Sequence, residues 1–188
     1  CLVLPERKNV FTTQCFKKGY FEVQDASSQL IAPLLKVEPG LRVVDACAGA
    51  GGKTLHMAAL MKNKGKIIAM DIHDWKLAEL KKRTARDGVD IVETKVIENN
   101  KTIKRLENSF DRVLLDVPCS GLGVLRRNPD TKWKLSMDEI HRLIDLQKNI
   151  LTDYSKMCKP NGFMVYATCS ILNSENEEQV KWFLDSEA

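Results

Sequence analysis

The stretch Leu41 Arg42 Val43 Val44 Asp45 Ala46 Cys47 Ala48 Gly49 Ala50 Gly51 Gly52 Lys53 Thr54 joins a short apolar, β-branched run to a glycine-rich turn and then to a helix-forming segment. Leu41 to Ala46 reads as a buried strand. The glycines let the backbone pass close to a ligand, and a helix opening directly after them offers its unpaired N–H groups to a carboxylate or phosphate. Lys53 to Lys62 places Leu55, Ala58, Ala59 and Met61 at helical spacing, and Gly65 separates it from a second strand, Lys66 to Asp71. Strand, turn, helix and strand make one β-α-β unit.

Working outward, Ser27 to Val37 reads as a helix closed by Pro39 and Gly40. Downstream follow a helix at Trp75 to Arg86, a weaker strand at Ile91 to Ile97, a short helical stretch at Ile103 to Leu106 and a strong strand at Arg112 to Val117. Pro118 has no backbone donor and ends that strand. Ser120 to Lys134 is a glycine-, proline- and arginine-rich loop of a length that compact domains usually keep for function. Ser136 with Glu139 forms a capping box for a helix running to about Met157, which Pro160 to Gly162 terminates. A fifth strand, Phe163 to Thr168, delivers Cys169, and Ser174 with Glu177 caps a last helix, Glu175 to Leu184.

Five strands with helical crossovers predict an α/β fold with a doubly wound, mostly parallel sheet. Residues 1–40 are expected to form a lead-in segment with a helix, and residues 41–188 the functional domain. In such sheets ligands bind beyond the carboxyl ends of the strands, which here carry Asp45, Asp71, Asp116 and Cys169.

Composition narrows the class. The 188 residues are 44% apolar and 29% charged, which fits a packed globular domain rather than a disordered or fibrous chain. No run of ~18 apolar residues spans a membrane, and the Cys1 to Val10 segment holds Glu6, Arg7 and Lys8 where a signal peptide would be apolar. A soluble, cytoplasmic protein is expected. Lysine and arginine number 29 against 25 acids, a net +4 that allows an anionic partner without requiring one. The six cysteines, at 1, 15, 47, 119, 158 and 169, lack C-x-x-C spacing, and with His56, His73 and His141 at unrelated positions no metal site is expected. Reduced thiols with nucleophilic work are the expectation.

The glycine turn fits neither familiar nucleotide fingerprint. Position 54 is threonine where a dinucleotide site would need its third glycine, and two residues, not four, separate Gly49 from Gly52 Lys53. What remains is a glycine turn followed by Asp71 at the next strand end, where a carboxylate can take both hydroxyls of a ribose. That is an S-adenosyl-L-methionine arrangement, with Cys47, Ala48, Gly49, Ala50, Gly51, Gly52, Lys53 and Asp71 as its candidate contacts.

Asp116 Val117 Pro118 Cys119 Ser120 Gly121, Ala167 Thr168 Cys169 Ser170 and Ala48 Gly49 Ala50 Gly51 Gly52 Lys53 Thr54 resemble, in order, the motifs of the NOL1/NOP2/Sun family of RNA cytosine-5 methyltransferases. Val23 Gln24 Asp25 and Arg126 Arg127 Asn128 Pro129 Asp130 Thr131 Lys132 Trp133 resemble it as well, so the likeness spans about Tyr20 to Phe183. The resemblance implies a Rossmann-like S-adenosylmethionine-dependent methyltransferase fold. It also implies Cys169 as nucleophile and Cys119 as the residue assisting release, with Asp116 at the cytosine ring edge or the cofactor's methionine end. Two cysteines suit the chemistry: carbon 5 of cytosine is a poor nucleophile until a thiolate adds to carbon 6, and the adduct must later be resolved. Lys53 could lower a thiolate's pKa or bind substrate. One departure stands out: where the family carries an aspartate after the third strand, this chain reads Thr94 Lys95 Val96 Ile97 Glu98 Asn99 Asn100, and Glu98 is the candidate substitute.

Arg126, Arg127, Lys132, Trp133 and Lys134 surround one aromatic with four cations, a pattern suited to tracking RNA phosphates and stacking a base. Ribosomal RNA is the favoured substrate, transfer RNA the alternative, and no obligate protein partner is legible. A methyltransferase for proteins or small molecules would not need Cys119 and Cys169. A methylase of exocyclic amines would carry Pro-Pro and an aromatic after the fourth strand. A non-catalytic RNA-binding module on the same fold is the remaining alternative.

Overall fold

The computed structural model describes residues 2–4, 6 and 8–186; Cys1 and Arg7, noted above, lie outside the described residues. Five strands form one sheet: β1 Arg42–Asp45, β2 Lys66–Asp71, β3 Val92–Val96, β4 Phe110–Asp116 and β5 Cys158–Ala167. They lie in the order β3-β2-β1-β4-β5, and every pairing is parallel. The helices are α1 Gln14–Lys17, α2 Ile31–Leu34, α3 Gly52–Leu60, α4 Asp74–Asp87, α5 Asn100–Lys104, α6 Thr131–Lys134, α7 Met137–Tyr154 and α8 Glu177–Ser186.

Strand parity explains the layering. Val43, Ile67 and Leu114 point to one face, against Ala32 of α2 and Leu35 just after it, and against Met57 and Ala58 of α3 and Met61 just after it. Ala69 continues that face against Leu55, Leu77 and Leu80 of α3 and α4. Their neighbours Val44, Ile68, Met70, Val113 and Leu115 point the other way, against Ile103 of α5 and Ile150 and Leu151 of α7. Successive side chains of a strand alternate faces, so strands apolar at every position must be covered on both. The predicted doubly wound sheet is therefore present, here parallel throughout.

Three local expectations are corrected. Ser27 to Val37 is not one helix: a 3-10 turn at Ser28–Leu30 leads into the single turn α2, with Pro33 inside it. Pro160 to Gly162 does not stop the long helix, which ends at Tyr154; β5 has already begun at Cys158. Its register jumps from Phe110↔Cys158 to Arg112↔Phe163, so the donor-less Pro160 and the left-handed Asn161 (φ 64°) sit in an irregularity of an outer strand, where proline is tolerated. Ser174 does not cap the last helix either. Asn173–Glu175 is a 3-10 turn, and Glu175 is fully buried rather than at a solvated helix start. By contrast, the Ser136 hydroxyl does accept the Glu139 N–H, at 3.2 Å.

The amino-terminal segment packs on this frame. Glu22 pairs with Arg83 at 3.0 Å and with Arg86 of α4, and the Arg86 guanidinium lies 4.0 Å from the Phe16 ring centre. Arg83 also donates to the Ala50 carbonyl at 2.6 Å, which ties α4 to the glycine turn.

Gly51 is the tightest point of that turn. It has φ 85°, and a Cβ there would lie 2.1 Å from Leu80 Cδ1. Gly51→Ala combines left-handed strain with overpacking and is expected to destabilise the fold by about 1–3 kcal/mol. The measurement is urea unfolding without added ligand; an unchanged midpoint would contradict the expectation.

Candidate active site

Because all five strands are parallel, their carboxyl ends share one edge of the sheet. The order of connections reverses between β1 and β4, and such a switch point opens a crevice. Asp45 and Asp116 flank it, and β5 adds Thr168 and Cys169 on the far side of β4, where Val117 N–H donates to the Ala167 carbonyl at 3.0 Å. A cavity of about 430 Å³ lies there, lined by Lys53, Asp116, Pro118, Cys119, Arg127 and Cys169 among others.

The two cysteines meet in it. Cys119 Sγ and Cys169 Sγ are 3.3 Å apart, and the Cys169 N–H donates to Cys119 Sγ at 3.2 Å. The pair is electrically unequal. Hydrogen bonding from Cys119 lowers the Cys169 thiol to about 7, with help from the Lys53 charge and against burial and Asp116. The same hydrogen bond, with burial, pushes the Cys119 thiol far up. The two thiols are thus unequal, and Cys169 is the one that ionises first, near neutral pH.

Lys53, in the first turn of α3, donates to Asp116 Oδ2 at 2.5 Å, with both side chains mostly shielded. Asp45 lies behind them, fully buried, accepting from Thr54 Oγ1 at 2.7 Å. This gives Thr54 a reason to stand where a dinucleotide site has glycine. Burial pushes the Asp45 carboxyl up to about 7 against that hydrogen bond.

The glycine turn opens toward the same edge. A Cβ on Gly49 (φ 54°) would meet nothing within 4 Å, so open space fronts the turn. Gly51 opens α3 without a side-chain cap, leaving the first-turn N–H groups to be satisfied otherwise. Asp71 Oδ2 accepts the Gly49 N–H at 3.0 Å and Oδ1 the His73 N–H at 2.8 Å, so the second strand end is tied to the turn. Cys47 faces the core, half-buried, its thiol pushed up by burial, and its chain neighbour Ala48 donates to the Met70 carbonyl at 2.8 Å. Ala48 packs beside Leu77 and Leu80, while Ala50 is exposed and accepts from Arg83. Glu98 is exposed, two residues past the end of β3.

The segment expected to be one cationic loop is not loop throughout, since Lys132, Trp133 and Lys134 lie in α6, and its cations divide. Arg127 lines the cavity and pairs with Asp25 at 3.2 Å across its mouth. Arg126, Lys132, Trp133 and Lys134 are exposed and are not among the lining residues; Trp133 is 79% exposed, with the Lys132 ammonium 4.8 Å from its ring centre.

Sequence reasoning missed the support beneath the cysteines. Glu175 Oε1 accepts the Ser120 N–H at 2.8 Å and Gln147 Nε2 at 3.0 Å, and Oε2 accepts Ser120 Oγ at 2.5 Å. Ser120 Oγ meets Ser170 Oγ at 3.0 Å, and Gln147 Nε2 also donates to the Pro118 carbonyl at 2.9 Å. Ser120 follows Cys119 and Ser170 follows Cys169, so one buried carboxylate binds both cysteine loops together. Burial pushes Glu175 up, but its hydrogen bonds from Ser120, Ser170 and Gln147 outweigh that and hold the carboxyl below its ordinary value. The serine after each cysteine was the available signal.

The sequence profile of the family described as 16S rRNA methyltransferase RsmB/F matches residues 32–188. The probable ribosomal RNA small subunit methyltransferase B of Bacillus subtilis (strain 168) is 39% identical over 92% of this chain and 39% of its own length. The tRNA (cytosine(72)-C(5))-methyltransferase NSUN6 of Homo sapiens is 36% identical over 88% of this chain and 37% of its own. The crystal structure of NSun6 from Pyrococcus horikoshii with SFG superimposes with a TM-score of 0.87 at 30% identity, over 95% of this chain and 46% of that one. The chain thus spans about two fifths of the length of the curated relatives it matches. The sheet and its flanking helices are the Rossmann-like fold of S-adenosylmethionine-dependent methyltransferases.

Two outcomes follow from the geometry. Iodoacetamide alkylation of Cys169, followed by peptide mass spectrometry against pH, should show a midpoint at about 7 that moves up toward the ordinary 9.0 in Cys119→Ala; an unmoved midpoint would show that Cys119 does not hold the thiolate. Glu175→Ala leaves Ser120 and Gln147 buried without their acceptor and should cost about 1–3 kcal/mol in urea unfolding.

Proposed function

As the chain belongs to the 16S rRNA methyltransferase RsmB/F family, we propose that it methylates carbon 5 of a cytosine in RNA through a covalent adduct with Cys169. The observation that carries this reading is the pair of sulfurs 3.3 Å apart in a cavity shared with Lys53 and Asp116. A fold-only binding module has no use for a thiolate held beside a protonated thiol.

S-adenosyl-L-methionine would supply an electrophilic methyl group. The fit lies in the open front of Gly49, the uncapped start of α3 and the carboxylate of Asp71, with Cys47, Ala48, Ala50, Gly51 and Gly52 contributing backbone and Glu98 standing at the adenine side. The likeness to a structure solved with SFG supports the same choice.

The roles divide among the residues of the cavity. The Cys169 thiolate adds to carbon 6, and the ring gains enamine character at carbon 5. Asp116, held by Lys53, accepts a hydrogen bond from the ring edge and favours protonation at N3. Lys53 keeps positive charge beside the thiolate and beside Asp116. Once Cys169 is bonded to carbon it is a neutral thioether, so the negative charge that held the Cys119 proton is gone. Cys119 then gives its proton to solvent and, as the thiolate, takes the carbon 5 proton; loss of that proton restores the ring double bond and expels Cys169.

The target base must come from a single strand or be flipped out of a helix to reach this cavity. Arg127 at the rim takes an adjacent phosphate, while Arg126, Lys132, Trp133 and Lys134 extend the contact outward. Ribosomal RNA is the favoured substrate class, supported by the family description and the bacterial relatives. Transfer RNA is the second reading, supported by the human relative. The working compartment is the cytoplasm, where thiols stay reduced; among the described residues no helix is long and apolar enough to cross a membrane.

The test is a denaturing gel of wild type, Cys119→Ala and Cys119→Ala/Cys169→Ala, each incubated with cellular RNA and S-adenosylmethionine. Only the single variant should accumulate an RNase-sensitive heavier band, because the adduct forms but is not resolved. A band that persists in the double variant would remove Cys169 from the nucleophile's role.

A further inference from the structure

The two sulfurs have a second chemistry open to them. Their separation of 3.3 Å must fall to the ~2.05 Å of a disulfide, and backbone hydrogen bonds hold both loops. Cys169 N–H bonds to Cys119 Sγ, and the Gly123 N–H donates to the Cys169 carbonyl at 2.8 Å. The Ser120–Ser170 contact and Glu175 clamp the loops from beneath. Access is unequal: Cys169 is exposed to the cleft and Cys119 is half-buried beside it. One sulfur can meet a reagent from solvent, and the other is placed to meet the product.

We infer that Cys119 and Cys169 form a reversible disulfide when the protein meets a hydroperoxide, making the pair a redox modification site. In the first step the Cys169 thiolate attacks the terminal peroxide oxygen: an S–O bond forms, the O–O bond breaks and hydroxide (from hydrogen peroxide) or alkoxide (from an alkyl hydroperoxide) leaves, giving a sulfenic acid. The sulfur is oxidised by two electrons and the peroxide reduced by two. In the second step the Cys119 sulfur attacks the sulfenic sulfur; the S–S bond forms, the S–O bond breaks, and the Cys119 proton leaves with the hydroxyl as water. Low-molecular-weight thiols reverse it by exchange, returning both cysteines to thiols and becoming a disulfide themselves.

The other described cysteines are poorly placed to compete. Cys47 and Cys158 are half-buried with their thiols pushed up by burial, and Cys15 is exposed in α1 with no cysteine among its hydrogen-bond partners. Cys169 alone among them combines exposure with a thiol lowered to about 7, the thiolate character that peroxide reaction requires. A resolving thiol at contact distance also guards Cys169 against irreversible oxidation, since the sulfenic acid is consumed before a second peroxide arrives. Bond formation depends only on the sulfur geometry; its consequence, reversible loss of methyl transfer, rests on the function proposed above.

The experiment exposes the reduced chain to one equivalent of hydrogen peroxide, blocks remaining thiols with N-ethylmaleimide and maps peptides by mass spectrometry without reduction. The expected result is a single cross-linked species joining the Cys119 and Cys169 peptides, with two of the six thiols lost and both restored by dithiothreitol. Cys119→Ser should instead hold Cys169 as a dimedone-reactive sulfenic acid that proceeds to sulfinic acid with excess peroxide. A wild type in which Cys169 reaches sulfinic acid while Cys119 stays alkylatable would overturn the inference, as would linkage to Cys15 or Cys158 or no reaction. Adduct formation by the reduced protein, read on the gel, is scored separately, so failure of the disulfide and failure of the methyltransferase reading are distinguishable.

Discussion

Parallel pairing of β1 with β4 is the constraint on which the site depends. It brings the two halves of the chain together with Asp45 beside Leu114, so that Asp45, Asp116 two residues further out and, one strand further, Cys169 stand along one edge. The pairing is sustained by apolar strands whose alternate residues feed cores on both faces. A strand buried on both faces cannot slip register by one residue without exchanging every contact from one core to the other. The sheet is thus a rigid ruler, and the side chains at its ends inherit that precision.

Precision at the cysteines comes from a different source. Their loops leave the sheet, and loops are ordinarily mobile. Here the fully buried Glu175 carboxylate accepts hydrogen bonds from Ser120 and Gln147, and Ser170 joins the network. Charge-assisted hydrogen bonds of this kind contribute about 1.5–3 kcal/mol each, which offsets the desolvation of the carboxylate and makes the alternative, an open loop, costly. The Cys169 thiol is then lowered by its hydrogen bond with Cys119 and by the Lys53 charge, with burial and Asp116 opposing. Lys53 in turn neutralises Asp116, so the charges at the cavity balance nearly within the site.

The sequence by itself determined the α/β class, the five strands, the glycine turn and the identity of Cys119, Cys169, Asp116 and Lys53 as the residues of interest. The fold signals are local, carried by hydrophobic period and by proline and glycine placement, whereas the cysteines and Asp116 are marked by the resemblance of their motifs to a known family. Local capping logic held in half at the solvent-facing Ser136, whose hydroxyl accepts the Glu139 N–H, while the Glu139 carboxylate pairs with Arg142 instead of returning to Ser136.

Only the tertiary structure decided the rest, because each remaining fact joins residues far apart in sequence. Glu175 reads locally as part of a helix start, yet its partners are Ser120 and Gln147, 55 and 28 residues away, and burial against them overrides helix propensity. Arg127 could not be separated from Arg126, Lys132, Trp133 and Lys134 by composition; it is the fold of the loop against Asp25 that turns Arg127 alone among them into the cavity. The sulfur pair spans 50 residues. Sequence names both cysteines, but whether one thiol lowers the other depends on a distance, and distance is set by the sheet and by the buried carboxylate beneath it.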